Sequence, residues 1–335
     1  MRVFPDARVL TTFLRPEAMP ASLRAAEPSF LQRIPGAASR HEWFLPLMPA
    51  AWRTRTVRDV DAVISSSHAC ANAVRTESGT PHLSYCHTPM RYAWDFAAEA
   101  ARFPGPIRPV ARATMGWFRR WDRRTAARIT HFIANSREVA ARIERFYGRQ
   151  AKVVHPPVRT DFFTPGSERE DFFLWVGRLV PYKRPDLAIE SVRGLSHRLL
   201  VVGEGMGDTE LRRRAPANVT FLGAVPDDEL RRLYRSARAL LAPGVEDFGI
   251  AMVEAQACGT PVIAPAQGGA LDIVVDGSTG WLLERHGVDE FRRALDVAAR
   301  EELDQEEIHR HAQRFSQARF RAEIRSEVDA AVRAS

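Results

Sequence analysis

Two glutamates, Glu246 and Glu254, stand eight positions apart in the run Glu246-Asp247-Phe248-Gly249-Ile250-Ala251-Met252-Val253-Glu254. The apolar run Ala239-Leu240-Leu241-Ala242 leads into them, and Gly259 and Pro261 close the stretch before a second apolar run, so the order reads strand, acidic loop, short helix, strand. Free N–H groups at Phe248, Gly249 and Ile250 would face an anion at the start of that helix, and Gly249 admits a close approach of the backbone. Glu254 follows about one turn later. Carboxylates this near a phosphate are poor ligands for it, so their partners are hydroxyls. Hydroxyls beside a diphosphate describe a sugar nucleotide.

A second group lies upstream, in Trp175-Val176-Gly177-Arg178-Leu179-Val180-Pro181-Tyr182-Lys183-Arg184. Gly177 at a strand end permits a tight loop, and Arg178 and Lys183 could then converge on one anion and neutralise a leaving diphosphate. Lys183 is one of only two lysines, with Lys152, in a chain of 48 basic residues, which favours a positional need for it. In the N-terminal half, Ser84-Tyr85-Cys86-His87-Thr88-Pro89-Met90-Arg91-Tyr92-Ala93-Trp94-Asp95 places His87 at the end of a strand-like run. Arg91, Tyr92 and Trp94 then cluster the hydrogen-bonding and stacking groups that a sugar site needs. His68, after Ser65-Ser66-Ser67, reads equally well as a site residue or a structural one.

The elements that must position these residues alternate. In the C-terminal half, residues 172–176, 198–202, 219–222, 239–242 and 261–264 are short apolar runs of the kind buried in a parallel sheet, with helical stretches at 186–193 and 227–235 between them. That pattern predicts an α/β, doubly wound sheet with ligands at the carboxyl ends of its strands. The N-terminal half is less regular. Residues 60–65, 82–86 and 131–134 read as strands, and Ser136 caps a helix over 137–147 that Gly148 stops. The boundaries drawn are an N-terminal domain over 1–160, a second over 161–316, and a final helix within 317–335.

At 335 residues, with 45% hydrophobic and 27% charged, the chain has the size and composition of a two-domain globular protein. No apolar run reaches the roughly 18 to 20 residues that span a bilayer, and no signal-peptide core opens the sequence, so the cytoplasm is the expected compartment. The three cysteines, Cys70, Cys86 and Cys258, are too few and too scattered for a disulfide framework or a structural zinc site. The net charge of +7 suits anionic substrates. Aromatic and basic residues do not interleave as in nucleic-acid readers, so no nucleic-acid partner is expected. Residues 112–128 combine Trp117, Phe118 and Trp121 with six arginines. They read either as a packed helix with a solvated arginine face or as a peripheral contact with the inner face of an anionic membrane.

The Glu246 to Glu254 run resembles the paired-glutamate motif of the retaining family 4 glycosyltransferases, and the likeness extends over nearly all the chain. The resemblance implies a GT-B fold, two doubly wound Rossmann-like domains facing a cleft, with the last helix crossing back onto the N-terminal domain. It implies that Glu246 contacts the donor sugar, that Glu254 binds the ribose hydroxyls, and that Arg178 and Lys183 clamp the diphosphate. Residues 221–225, with Leu222 and Val225, resemble the segment whose backbone reads the nucleobase, and Gly268 and Gly269 resemble the family's glycine-bearing loop. The glycines after residue 202, Gly203 and Gly205, fit a donor loop and a plain turn equally. The run from Ser84 to Asp95 resembles that of mannosyltransferases building O-antigen and related surface polysaccharides. It implies mannose from GDP-mannose, rather than a UDP-linked sugar, as donor and a glycan or lipid-linked acceptor, with His87 bonding the donor sugar or acceptor.

On this reading the acceptor attacks from the face the diphosphate leaves, the phosphate takes the proton, and neither a metal nor a cofactor beyond the nucleotide-sugar co-substrate is required. One departure stands out. The family opens with a strand, a glycine-rich loop and a helix, whereas the only glycine before Gly79 here is Gly36, and residues 3–10 resemble the family's second strand. An N-terminal domain lacking its first strand is therefore expected, by a start set some 25 to 30 residues late, relative to the family's first-strand unit, or by natural truncation. The competing function is a non-catalytic nucleotide-sugar or glycan-binding protein derived from this fold.

Overall fold

The computed structural model describes residues 3–94, 108–166, 169–205 and 208–335, without the side chains of Ala18, residues 41–43, Tyr92, residues 108–111, Ala113 and Asp208. The chain divides into two units. The first takes in residues 1–135, 139–154 and 321–335, and the second takes in residues 136–138 and 155–320.

Fourteen strands are present among the described residues. In the first unit these are β1 (Leu10–Thr11), β2 (Glu27–Pro28), β3 (Thr56–Val57), β4 (Val63–Ser67), β5 (Arg75–Thr76), β6 (His82–Cys86), β7 (His131–Ala134) and β8 (Ala151–Val153). The second unit holds β9 (Phe173–Val176), β10 (Leu199–Val202), β11 (Val219–Gly223), β12 (Leu240–Leu241), β13 (Val262–Pro265) and β14 (Gly280–Leu283).

The second unit forms one parallel sheet in the order β11-β10-β9-β12-β13-β14. Helices cover both faces, because strands this apolar must be buried on both sides. Phe172, Leu174, Leu240, Val262 and Met252 pack on one side, and Phe173, Trp175, Val201, Ile263 and Phe291 on the other. The order runs outward in both directions from β9 and β12, so the chain reverses between these two strands. In sheets of this kind ligands bind outside the carboxyl ends of the strands at such a reversal.

The first unit is built differently. Its main sheet has four parallel strands in the order β4-β6-β7-β8, and two further parallel pairs, β1-β2 and β3-β5, stand apart from it. The strand expected over residues 60–65 begins only at Val63, because Asp59 takes a left-handed backbone (φ 55°) and bends the chain before it. The helix Arg108–Ala126 buries Met115, Phe118, Trp121 and Ala126, leaving Trp117 as its exposed aromatic at 53%. Its apolar face thus serves the core of its own unit. This supports the packed-helix reading of residues 112–128 over the membrane-docking one. No helix among the described residues is long and apolar enough to cross a membrane. The three cysteines are buried, and none forms a disulfide.

Candidate functional site

The loop after β9 carries Gly177, Arg178 and Lys183, and the loop after β12 carries Glu246, so the switch point of the sheet brings the two predicted groups together. Lys183 Nζ donates to Glu246 Oε1 at 2.5 Å, with 20% and 22% of the two side chains exposed. A pair so placed is screened less than a surface ion pair and holds both side chains in one geometry. Lys183 also lies over the Tyr182 ring, 5.8 Å from its centroid. Arg178 is exposed, its Nη2 donating to Tyr182 Oη at 3.5 Å. The structure therefore joins Lys183 to Glu246, while Arg178 stays at the rim.

Two glycines make this approach possible. A Cβ on Gly244 would stand 2.7 Å from Lys183 Cα and from Tyr182 O, so the loop after β12 can touch the loop after β9 only without a side chain there. A Cβ on Gly269 would stand 2.0 Å from Phe248 O, and Gly269 N donates to Glu246 O at 2.9 Å. The loop after β13 thereby fixes the acidic loop from its other side.

The helix Ile250–Ala257 begins at Gly249, whose backbone is left-handed (φ 107°), with no side chain capping its first N–H groups. Phe248 is buried against Phe315 and stacked on His155, centroids 5.4 Å apart. Ile250 is 48% exposed. Glu254, half-buried one turn in, accepts from Tyr234 Oη at 3.1 Å. Burial raises its carboxyl to about 7, against the Tyr234 hydrogen bond and the charge of Arg159, which both lower it. Tyr234 is itself driven well above the ordinary phenol range by burial and stays a donor. Sequence reasoning missed Tyr234. Its signal was there: it shares the buried face of the helix Asp227–Ser236 with Leu230 and Leu233, and a hydroxyl on an apolar face needs a buried partner. Leu222 (38% exposed) and Val225 flank the end of β11, where Gly203 N donates to Gly223 O at 2.8 Å.

In the first unit, His87 sits just past the carboxyl end of β6. Its N–H donates to Ser67 O at 2.9 Å, its carbonyl accepts from Asn135 Nδ2 at 3.0 Å, and its Nε2 is 2.8 Å from Ser66 Oγ. The ring meets Tyr85 edge-on at 5.2 Å. Arg91 is half-buried at the start of the helix Arg91–Trp94, and the Tyr92 side chain lies outside the described residues. Trp94 corrects an expectation. Its Nε1 donates to buried Asp122 at 2.7 Å, Phe146 stacks on its ring at 4.6 Å, and Arg123 lies over it at 5.1 Å, so the indole is engaged in helix packing rather than free to stack on a sugar. Asp122 also accepts from Tyr147 Oη at 2.7 Å, and burial raises its carboxyl. Sequence reasoning also passed over Asp59-Val60-Asp61, an Asp-x-Asp spacing. It precedes the amino end of β4, opposite to the strand ends at which ligands bind in such sheets.

Residues 9–162 match the family model described as Glycosyltransferase Family 4, and residues 158–316 match that described as Glycosyl transferases group 1. Between them the two glycosyltransferase models match residues 9–316. The chain is 36% identical over 222 residues to the D-inositol 3-phosphate glycosyltransferase of Kribbella flavida, a match taking in 55% of this chain and 52% of that protein. The enzyme of the same description from Mycobacterium sp. (strain JLS) is 37% identical over 169 residues, 43% of this chain and 38% of that protein. The chain thus matches about half, or less, of the length of these curated relatives. Among solved structures, sucrose-phosphate synthase from Thermosynechococcus elongatus superposes with a TM-score of 0.68 at 18% identity, covering 88% of this chain and 80% of that one. The lipopolysaccharide outer core galactosyltransferase WaaB gives 0.64 at 17% identity, covering 92% and 86%. The fold is therefore GT-B.

Proposed function

We propose that the protein is a retaining glycosyltransferase that moves a hexose from a nucleoside diphosphate sugar to a hydroxyl of a glycan or lipid-linked acceptor. The observation that carries this reading is the half-buried Lys183–Glu246 pair at the switch point, with the uncapped start of the helix at Ile250 in the same acidic loop. The bond between the anomeric carbon and the phosphate oxygen breaks, and its electron pair goes to the diphosphate. Lys183, Arg178 and the helix N-terminus stabilise that charge as it develops. The acceptor oxygen bonds to the anomeric carbon from the same face, and its proton passes to the departing phosphate. Glu246 orients the sugar while releasing its share of Lys183 to the more highly charged diphosphate. Glu254 takes the ribose hydroxyls, and His87 serves the sugar or acceptor. No cofactor beyond the nucleotide sugar enters the scheme.

GDP-mannose is the donor implied by the run from Ser84 to Asp95, and surface polysaccharide synthesis the setting. The similarity to D-inositol 3-phosphate glycosyltransferases makes D-inositol 3-phosphate a second acceptor to test. Incubating the chain with GDP-mannose, UDP-glucose and each acceptor, with proton NMR of the anomeric signal, tests the reading. A product retaining the donor's anomeric configuration supports it. An inverted product, or nucleotide binding without turnover, favours another mechanism or a non-catalytic binding protein.

A further inference from the structure

Tyr234 lies wholly inside the second unit, on the helix Asp227–Ser236, with no exposed surface. Its ring meets Phe163 edge-on at 5.8 Å, and its carbonyl accepts from Thr260 Oγ1, just past the helix Ile250–Ala257. Ring and main chain are both held, so the hydroxyl projects from a fixed base. It donates to Glu254 Oε2 at 3.1 Å. Among the described residues no other group hydrogen-bonds that carboxylate, so Oε1 keeps both of its lone pairs. Glu254 is half-buried and stands about 6 Å along the helix axis from Ile250, one step on from a phosphate held at the helix start.

We infer, on the reading of a nucleoside diphosphate sugar as donor, that Tyr234 is a positioning residue, whose hydroxyl holds Oε2 of Glu254 so that Oε1 is presented to the adjacent hydroxyls of the bound ribose. A glutamate side chain turns about several bonds, and ordering it on binding costs affinity. A donor fixed in the core meets that cost before the ligand arrives. The same hydrogen bond keeps an acceptor available: burial and the charge of Asp227 disfavour the ionised form of Glu254, whereas the Tyr234 hydroxyl and the charge of Arg159 favour it. Burial and the neighbouring carboxylate drive the Tyr234 phenol well above its ordinary range, so it stays a donor. A tyrosine that served packing alone would leave the recognition of ribose unchanged when its hydroxyl was removed.

The test titrates the full chain with GDP, UDP and ADP, and then with the 2′,3′-dideoxy analogue of whichever binds most tightly. The parent is expected to favour the ribonucleotide by roughly 10- to 100-fold, as hydrogen bonds to a charged group allow. Tyr234→Phe keeps the ring and drops the hydroxyl. It should reduce that preference to roughly threefold or less, while affinity for the dideoxy analogue stays within about twofold of the parent's. In a Glu254→Ala background, where no carboxylate remains to be aimed, Tyr234→Phe should change neither affinity. Equal weakening toward both nucleotides in Tyr234→Phe overturns the inference, as does a further loss of ribonucleotide affinity in the Glu254→Ala background. A parent that binds both nucleotides equally overturns it without any variant. A parent that binds no nucleotide removes the proposed donor itself, and the role of Tyr234 with it.

Discussion

Both units are made of parallel strands, yet β9 in the second is paired on both edges, by β10 and β12, whereas β4 in the first is paired on one edge among the described residues and borders a large cavity. The difference tracks the chemistry each unit can hold. Lys183 and Glu246 stand on loops that leave neighbouring strands of a complete six-stranded sheet, and glycines at 244 and 269 let three loops touch. Their separation is therefore fixed by the sheet itself. His87 leaves a four-stranded sheet whose next strand is open, and its ring is held by Ser66 on that same open strand. In the proposed reaction a charge clamp belongs on the sheet whose central strands are paired on both edges, because stabilising a leaving group requires donors that do not reorganise.

If that contrast governs catalysis, the largest effect comes from Lys183→Ala, which should lower kcat by roughly 10²- to 10³-fold. His87→Ala should cost roughly tenfold or less, since a hydrogen bond to a neutral hydroxyl is worth about 0.5 to 1.5 kcal/mol. Steady-state kinetics of the two variants side by side decides it, and the reverse order breaks the comparison. Next is Glu254→Ala, which should weaken nucleotide binding by about 1.5 to 3 kcal/mol with charge-assisted hydroxyl contacts gone. Equilibrium titration would show this as a change in Kd.

Gly269→Ala sharpens the claim that touching loops fix the site. Its new methyl has to displace Phe248 O, at a cost of about 1 to 3 kcal/mol in unfolding free energy, together with a loss of nucleotide affinity although residue 269 has no charge to lose. An unchanged denaturation midpoint would mean that the loops yield. The smallest effect is on pH. Glu254 has a folded-state value near 7 against an ordinary 4.5, so the folded state holds its proton more tightly. Its contribution to stability is full below about pH 4.5 and is lost as pH rises through about 7, some 1 to 2 kcal/mol after allowance for solvent screening. Glu254→Gln should remove that slope, so that thermal midpoints of variant and parent separate between pH 5 and pH 8.

The second unit was the more legible in the sequence. Runs such as Phe173–Val176 and Val262–Pro265 are apolar throughout, and burial on two faces leaves that imprint whatever the tertiary detail. The Lys183 and Glu246 loops were legible too, because a strand end followed by glycine and charge has few other uses. What the sequence did not disclose was which charge would meet which: Arg178 and Lys183 are equivalent on paper, and only the 3₁₀ turn Pro181–Lys183 turns the lysine inward. Trp94 misled because an indole near a histidine has the same composition whether it stacks on a sugar or on Phe146. The Tyr234–Glu254 contact joins residues on two helices, 20 positions apart, and such pairs leave only the weak trace of a polar group on a buried face.

In the proposed function the second unit holds a nucleoside diphosphate at the end of β9 and β12. Calorimetric titration of the 335-residue chain with GDP, UDP and ADP, repeated on Glu254→Ala and Lys183→Ala, tests it most directly. One site is expected, with a preference for one of the three nucleotides and affinity that falls in both variants. Absence of binding by all three, or binding that neither substitution weakens, would contradict it.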